Sequence, residues 1–202
     1  MQKRYSAALV MILLATGTGI ACRHQPDSNA AKADNVVTEP PPAGPVAEFA
    51  ANLQKYLAVR DAADQKVPDL KETSDPAKVS DREKALGDAV RAMRVNAKQG
   101  DIFTPAVAAE LGRLVKEDFA ARSRSTQDAV MTEVPQRAPM KVNASYPTSE
   151  PLATVPPALL QKLPTLPEQL EYRFLDRDLI LRDIKANLIV DFIPDVLPPR
   201  AG

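Results

Sequence analysis

Eight prolines fall between positions 135 and 167: Pro135, Pro139, Pro147, Pro151, Pro156, Pro157, Pro164 and Pro167. Proline has no amide hydrogen and its ring clashes with the preceding helical turn, so neither a long helix nor a central strand can cross this stretch. The stretch divides the chain. Before it, apolar residues recur every three or four positions; after it, every two. That pattern predicts an α+β fold, an N-terminal helical hairpin or bundle of three to four helices packed on a small C-terminal antiparallel β-meander. One domain is expected over 46–199, helical over 46–134, with a proline-rich crossing over 135–167 and a three-strand meander over 168–197.

The first helix carries Val46, Phe49, Ala50, Leu53, Tyr56 and Leu57 as one stripe, with Pro45 suited to its start. A connector, VPDLKETSDP, follows. The second helix has two possible starts. Asp75-Pro76 offers a cap and a proline at the first position, and Ser80-Asp81-Arg82-Glu83 offers a capping box. A short turn and then a helix from about Asp81 is expected, with Leu86, Val90, Met93 and Ala97 inward and Gly100 as its stop. Thr104-Pro105 caps a third helix bearing Val107, Leu111, Leu114, Val115 and Phe119, with Ile102 and Phe103 buried at the corner. A fourth stretch runs from about Ser125 to Val134. Within the crossing, a short helix is expected over Pro157 to Leu163, with Leu159, Leu160, Leu163 and Leu166 as anchors.

Beyond Pro167, Leu170, Tyr172 and Phe174 alternate with Glu171 and Arg173, and Leu179 and Leu181 with Ile180 and Arg182. Leu188, Val190 and Phe192 alternate with Ile189, Asp191 and Ile193. The links DRD and DIKAN suit turns, because Asp and Asn side chains bond nearby amides; this accounts for Asp176, Asp178, Asp183 and Asn187. Strict alternation assigns Arg173, Arg182 and Asp191 to one face with Ile180, Ile189 and Ile193. Asp191 is then expected to pair with Arg182 or Arg173.

The N-terminus has its own pattern. Lys3 and Arg4 precede an apolar run from Ala7 to Ala15, and small residues lead to Cys22, the single cysteine. A run this short with basic flanks predicts a signal peptide over 1–21, not a spanning helix, which needs about 20 apolar residues. Gly19-Ile20-Ala21-Cys22 resembles a lipobox, which implies acylation of Cys22 and a membrane attachment through lipid. Arg23 stands where an Asp often retains lipoproteins in the inner membrane, which favours the outer membrane. Residues 22–45, with Pro40, Pro41 and Pro42 in a row, are expected to form a disordered, proline-rich tether. The chain is thus expected to be exported, to the bacterial periplasm or the outer membrane.

GDIFTP after the second helix and LILRDIKANLIVDFIP near the end resemble an uncharacterised family of bacterial exported proteins. The resemblance spans most of the mature chain. It implies export and a shared architecture; no activity is assigned to that family, so it supplies no catalytic residue.

The chemistry on offer is narrow. The one histidine, His24, lies in the tether and cannot be held by a fold, which removes Ser-His-Asp, Cys-His and His/Cys zinc sites within this chain. No glycine-rich phosphate loop occurs. Removing the leader takes Lys3 and Arg4 from the 26 basic residues, leaving 24 against 26 acidic, so no basic excess points to nucleic acid. Asp176 and Asp178 form a DxD that could meet a divalent cation, but no third or fourth ligand stands near, so neither metal nor cofactor is implied. A carboxylate hydrolase would want aromatic sugar platforms, and the chain has no Trp. The polar candidates are Asp191, Arg182, Arg173 and Asp178. The function expected is a lipid-tethered, non-enzymatic envelope domain that binds another envelope protein. The alternative is a periplasmic ligand-binding module or a carboxylate-dependent hydrolase.

Overall fold

A computed structural model describes residues 44–135, 140–147 and 153–199. The expected signal peptide, nearly all of the tether, and Cys22 lie outside the described residues. Among the described residues, five helices precede three strands: α1 Pro45–Asp64, α2 Pro76–Met93, α3 Pro105–Ala120, α4 Arg124–Glu133, α5 Pro157–Leu160, then β1 Leu170–Leu175, β2 Asp178–Asp183 and β3 Leu188–Ile193. The strands form an antiparallel sheet in the order β1-β2-β3. The architecture is α+β with a C-terminal meander, as the change of period predicts.

The main core lies between the helices and one face of the sheet. Phe49, Leu53, Val90, Val107, Leu111 and Val115 meet Tyr172, Phe174, Leu179, Leu181 and Leu188 there. Phe49 is its centre. Its ring stacks on Phe103 at a centroid distance of 5.5 Å and on Tyr172 at 6.4 Å. Each buried side chain of this size contributes about 1.5–3 kcal/mol, and no disulfide assists among the described residues.

The second helix begins earlier than expected. Asp75 accepts the Ala77 amide at 3.0 Å, and Pro76 arrives with its φ already helical, so this cap nucleates the helix before Ser80 can. The Ser80–Glu83 box lies inside the helix. The same helix also ends earlier, at Met93. The Arg94 carbonyl is taken by Asn143 Nδ2 at 2.8 Å, and Arg94 leaves helical geometry. Met93 is therefore exposed and Ala97 is not helical. Gly100, at φ 90°, serves the following loop. Thr104 sits at the N-cap of α3 without a side-chain capping bond.

Two described parts of the proline-rich crossing, 140–147 and 153–155, lie against the sheet. Met140, Ala144 and Tyr146 cover Leu175, Ile180 and Ile189, closing the face away from the helices. The Asn143 and Tyr146 amides donate to Ile189 and Asn187 carbonyls at 2.9 and 3.0 Å, so this segment also pairs with the outer edge of β3. Thr154 bridges to Arg173 on the edge of β1. Covering edges in this way blocks further strand pairing. Leu159 and Leu163 anchor the crossing, whereas Leu160 is exposed; α5 stops at Leu160, short of the expected Leu163.

Strict alternation fails at one residue. Leu181 faces Asp191 but Arg182 faces Ile189, so Val190 is an extra residue, a β-bulge. One inserted residue moves everything after it to the opposite face. Asp191 and Ile193 turn toward the helices and Phe192 turns away from them. The expected grouping of Asp191 with Arg173 and Arg182 is thereby overturned.

Candidate functional site

Asp191 is fully buried and receives four backbone amides. Its Oδ1 accepts Gly100 at 3.0 Å and Phe192 at 2.8 Å, and its Oδ2 accepts Ile102 and Phe103, each at 2.8 Å. Gly100 makes this possible, because its left-handed backbone turns the loop's amides inward. The bulge aims the carboxylate, and the loop before α3 receives it. The carbonyl freed at Val190 accepts Arg94 Nη2 at 3.3 Å. Arg94 also lies over the Tyr56 ring, 4.9 Å from its centroid. Burial pulls the Arg94 guanidinium below its ordinary value, opposed by Tyr56, Asp101 and Asp191.

Asp183 is the second sealed carboxylate. Its Oδ1 accepts the Ala186 amide at 2.8 Å, which is the expected turn bond. Its Oδ2 accepts the Tyr56 hydroxyl and Arg60 Nε, both at 2.8 Å. Burial first, and the Asp183 carboxylate second, push the Tyr56 hydroxyl far above its ordinary value. The sequence did carry a signal for this tie. Arg60 continues the buried stripe of Leu53 and Tyr56, and a charge in an apolar stripe needs a buried partner.

Arg182 and Arg173 meet Glu171, not Asp191. Arg182 Nη1 reaches Glu171 Oε1 at 2.6 Å, and Arg173 Nη2 reaches Glu171 Oε2 at 2.5 Å. Arg182 also donates to Asn187 Oδ1 and lies over the Tyr146 ring. Burial alone would raise the Glu171 carboxyl, but the two arginines outweigh it and hold the group below its usual range. Asp178 stands apart at the β1–β2 turn, where it accepts the Asp195 amide at 2.9 Å. Burial raises its carboxyl, with help from Asp195 and Asp176. The four polar candidates therefore occupy three separate places. Among the described residues, no group of three His, Cys, Asp or Glu is arranged to hold a metal ion.

The open chemistry lies elsewhere, in a cleft of about 700 Å³ between the end of α1, the connector at 65–75, α2 and the β2–β3 turn. Leu70, Val79 and Ile184 wall it and are exposed, although burial of such residues is the rule. Arg60 and Arg82 reach it from two helices. The sequence marks this region only as a connector, and nothing in its pattern brings Ile184 against Val79.

Protein-family models, curated proteins and solved structures were each compared with the chain, and none matches. Among the described residues, no helix is long and apolar enough to cross a membrane.

Proposed function

We propose that the chain is an exported, lipid-tethered, non-enzymatic domain that docks another protein of the bacterial cell envelope. The observation that carries this is how its buried acids are used. Asp183 and Asp191 are both fully buried, and every oxygen of each accepts a hydrogen bond from the chain's own groups. A carboxylate so committed builds the fold and has no lone pair facing a substrate. The hydrolase alternative loses its main acid in this way.

Segment 140–147 covers the sheet face away from the helices, so the docking face proposed lies elsewhere. It is the rim of the cleft, where Leu70, Val79 and Ile184 present aliphatic surface among charges. Exposed aliphatic groups gathered in one concave place favour an interaction site over a plain solvated surface. The N-terminal lipid would hold this face within reach of the envelope.

A photo-crosslinking amino acid at Leu70, introduced in cells, tests the proposal. One discrete adduct, absent when the probe is at Glu133 on α4, is expected. A monomeric species at Leu70 under all growth conditions would reject it.

A further inference from the structure

We propose that the cleft binds the C-terminal carboxylate of an apolar peptide. Arg60 and Arg82 take the carboxylate, and Leu70, Val79 and Ile184 take the aliphatic side chains. This rests on the docking function above and names what the partner presents.

The two guanidiniums hold unused donors. Arg82 gives Nη2 to Asp64 at 2.6 Å, while its Nη1 is buried without any hydrogen-bond partner among the described residues. Arg60 is buried and gives Nε to Asp183, and its Nη1 stands 3.7 Å from Asp61 Oδ1, beyond hydrogen-bond reach. Buried donors are nearly always satisfied; Arg82 Nη1 has almost no accessible surface, so a ligand oxygen meets it only once the guanidinium turns toward the cleft. A carboxylate offers two oxygens and matches the planar fork of a guanidinium. Asp183 fixes Arg60 from behind, so its orientation is set before a ligand arrives.

The rest of the lining separates a peptide from a fatty acid. Asp64, Glu83, Glu168 and Gln169 line the same cleft beside Lys185, and their side-chain oxygens are able to accept hydrogen bonds from N–H groups. A peptide backbone supplies such donors and an acyl chain has none. The volume, about 700 Å³, lies within the range of small-ligand sites.

Calorimetric titration of the chain as isolated from cells tests this with N-acetyl-dileucine, its C-terminal amide, and octanoate as probes. N-acetyl-dileucine is expected to bind with Kd below about 1 mM, and the amide and octanoate at least about tenfold more weakly. Arg82→Gln and Ile184→Asp should each weaken N-acetyl-dileucine about tenfold or more. Val95→Asp adds the same charge at an exposed site outside the cleft and should bind as the wild type does. A thermal melt of each variant confirms that it is folded. Equal affinity for acid and amide, octanoate binding as tightly as the peptide, or no binding by the folded wild type would each overturn the proposal. A crosslinked partner at Leu70 without N-acetyl-dileucine binding overturns this inference and leaves the docking function standing. Binding without any crosslinked partner supports the carboxylate site and overturns docking to a protein.

Discussion

Tyr56 donates its hydroxyl hydrogen to Asp183 Oδ2 across 2.8 Å, which ties the middle of α1 to the end of β2. Arg60, one helical turn on, donates to the same oxygen. The helical and sheet halves are thus joined by a buried ionic contact as well as by apolar packing. A shared acceptor makes the two donors interdependent.

Tyr56→Phe should cost about 1.5–3 kcal/mol, the value of a hydrogen bond to a charged group. Arg60→Met should cost more, about 3–5 kcal/mol, because it leaves the Asp183 charge buried without its cation. The two losses should not add, with a coupling of about 0.5–3 kcal/mol. Urea denaturation of the single and double variants measures all three. Losses under about 0.5 kcal/mol for both singles would remove the tie from the account.

Two glycines, Gly87 on α2 and Gly112 on α3, should respond oppositely to alanine. A Cβ at Gly87 would stand 2.9 Å from the Ala186 carbonyl oxygen, which is backbone and cannot move aside cheaply. At Gly112 the nearest atoms, on Val196 and Ile193, are 3.7 and 3.9 Å away, an ordinary contact. Gly87→Ala should therefore destabilise by about 1–3 kcal/mol despite better helix propensity. Gly112→Ala should stabilise by about 0.5–1 kcal/mol. Thermal denaturation distinguishes them by the sign of the change.

Acid should weaken the fold through Glu171 and Asp118. Burial acts to raise both carboxyls, but Arg173 and Arg182 around Glu171, and Lys162 and Arg122 around Asp118, bring both below their ordinary range. A depressed carboxyl contributes stability above its unfolded pKa and loses it as pH falls through the folded one. Stability should therefore hold above about pH 5 and fall below about pH 4. Glu171→Gln should flatten that fall. Asp178 runs the other way, since burial raises it, so Asp178→Asn should be neutral or stabilising at pH 7. Denaturation between pH 3 and pH 7 tests each slope, and an unchanged slope in Glu171→Gln contradicts the assignment.

The lipid attachment is tested by labelling cells with a fatty-acid analogue. Label should appear on the wild-type chain and disappear in Cys22→Ser. Label retained by the variant would place any acyl group elsewhere.

The fold class was legible because period and proline placement are local properties: 3.6-type spacing in Val107, Leu111 and Val115, twofold spacing in Leu170, Tyr172 and Phe174. Asp176 and Asn187 also stand at left-handed turn positions, where their side chains suit them. The face of Asp191 was not legible. It depends on a single bulged residue, Val190, which the alternation of LIVDFI does not reveal. The helix start at Asp75 and the end at Met93 were decided by competition between caps and by a contact with Asn143, far away in sequence. The cleft was not legible either, since it is assembled from a connector, two helices and a turn.

Asp191 offers the most direct test of the claim that these carboxylates build the fold. Polar groups kept for chemistry often cost stability, and neutralising them often restores it. Asp191 instead receives the amides of Gly100, Ile102 and Phe103. Asp191→Asn keeps the shape, removes the charge and turns an N–H toward donors. Denaturant titration should show a loss of about 2–4 kcal/mol. Stability equal to or above that of the wild type would contradict the account.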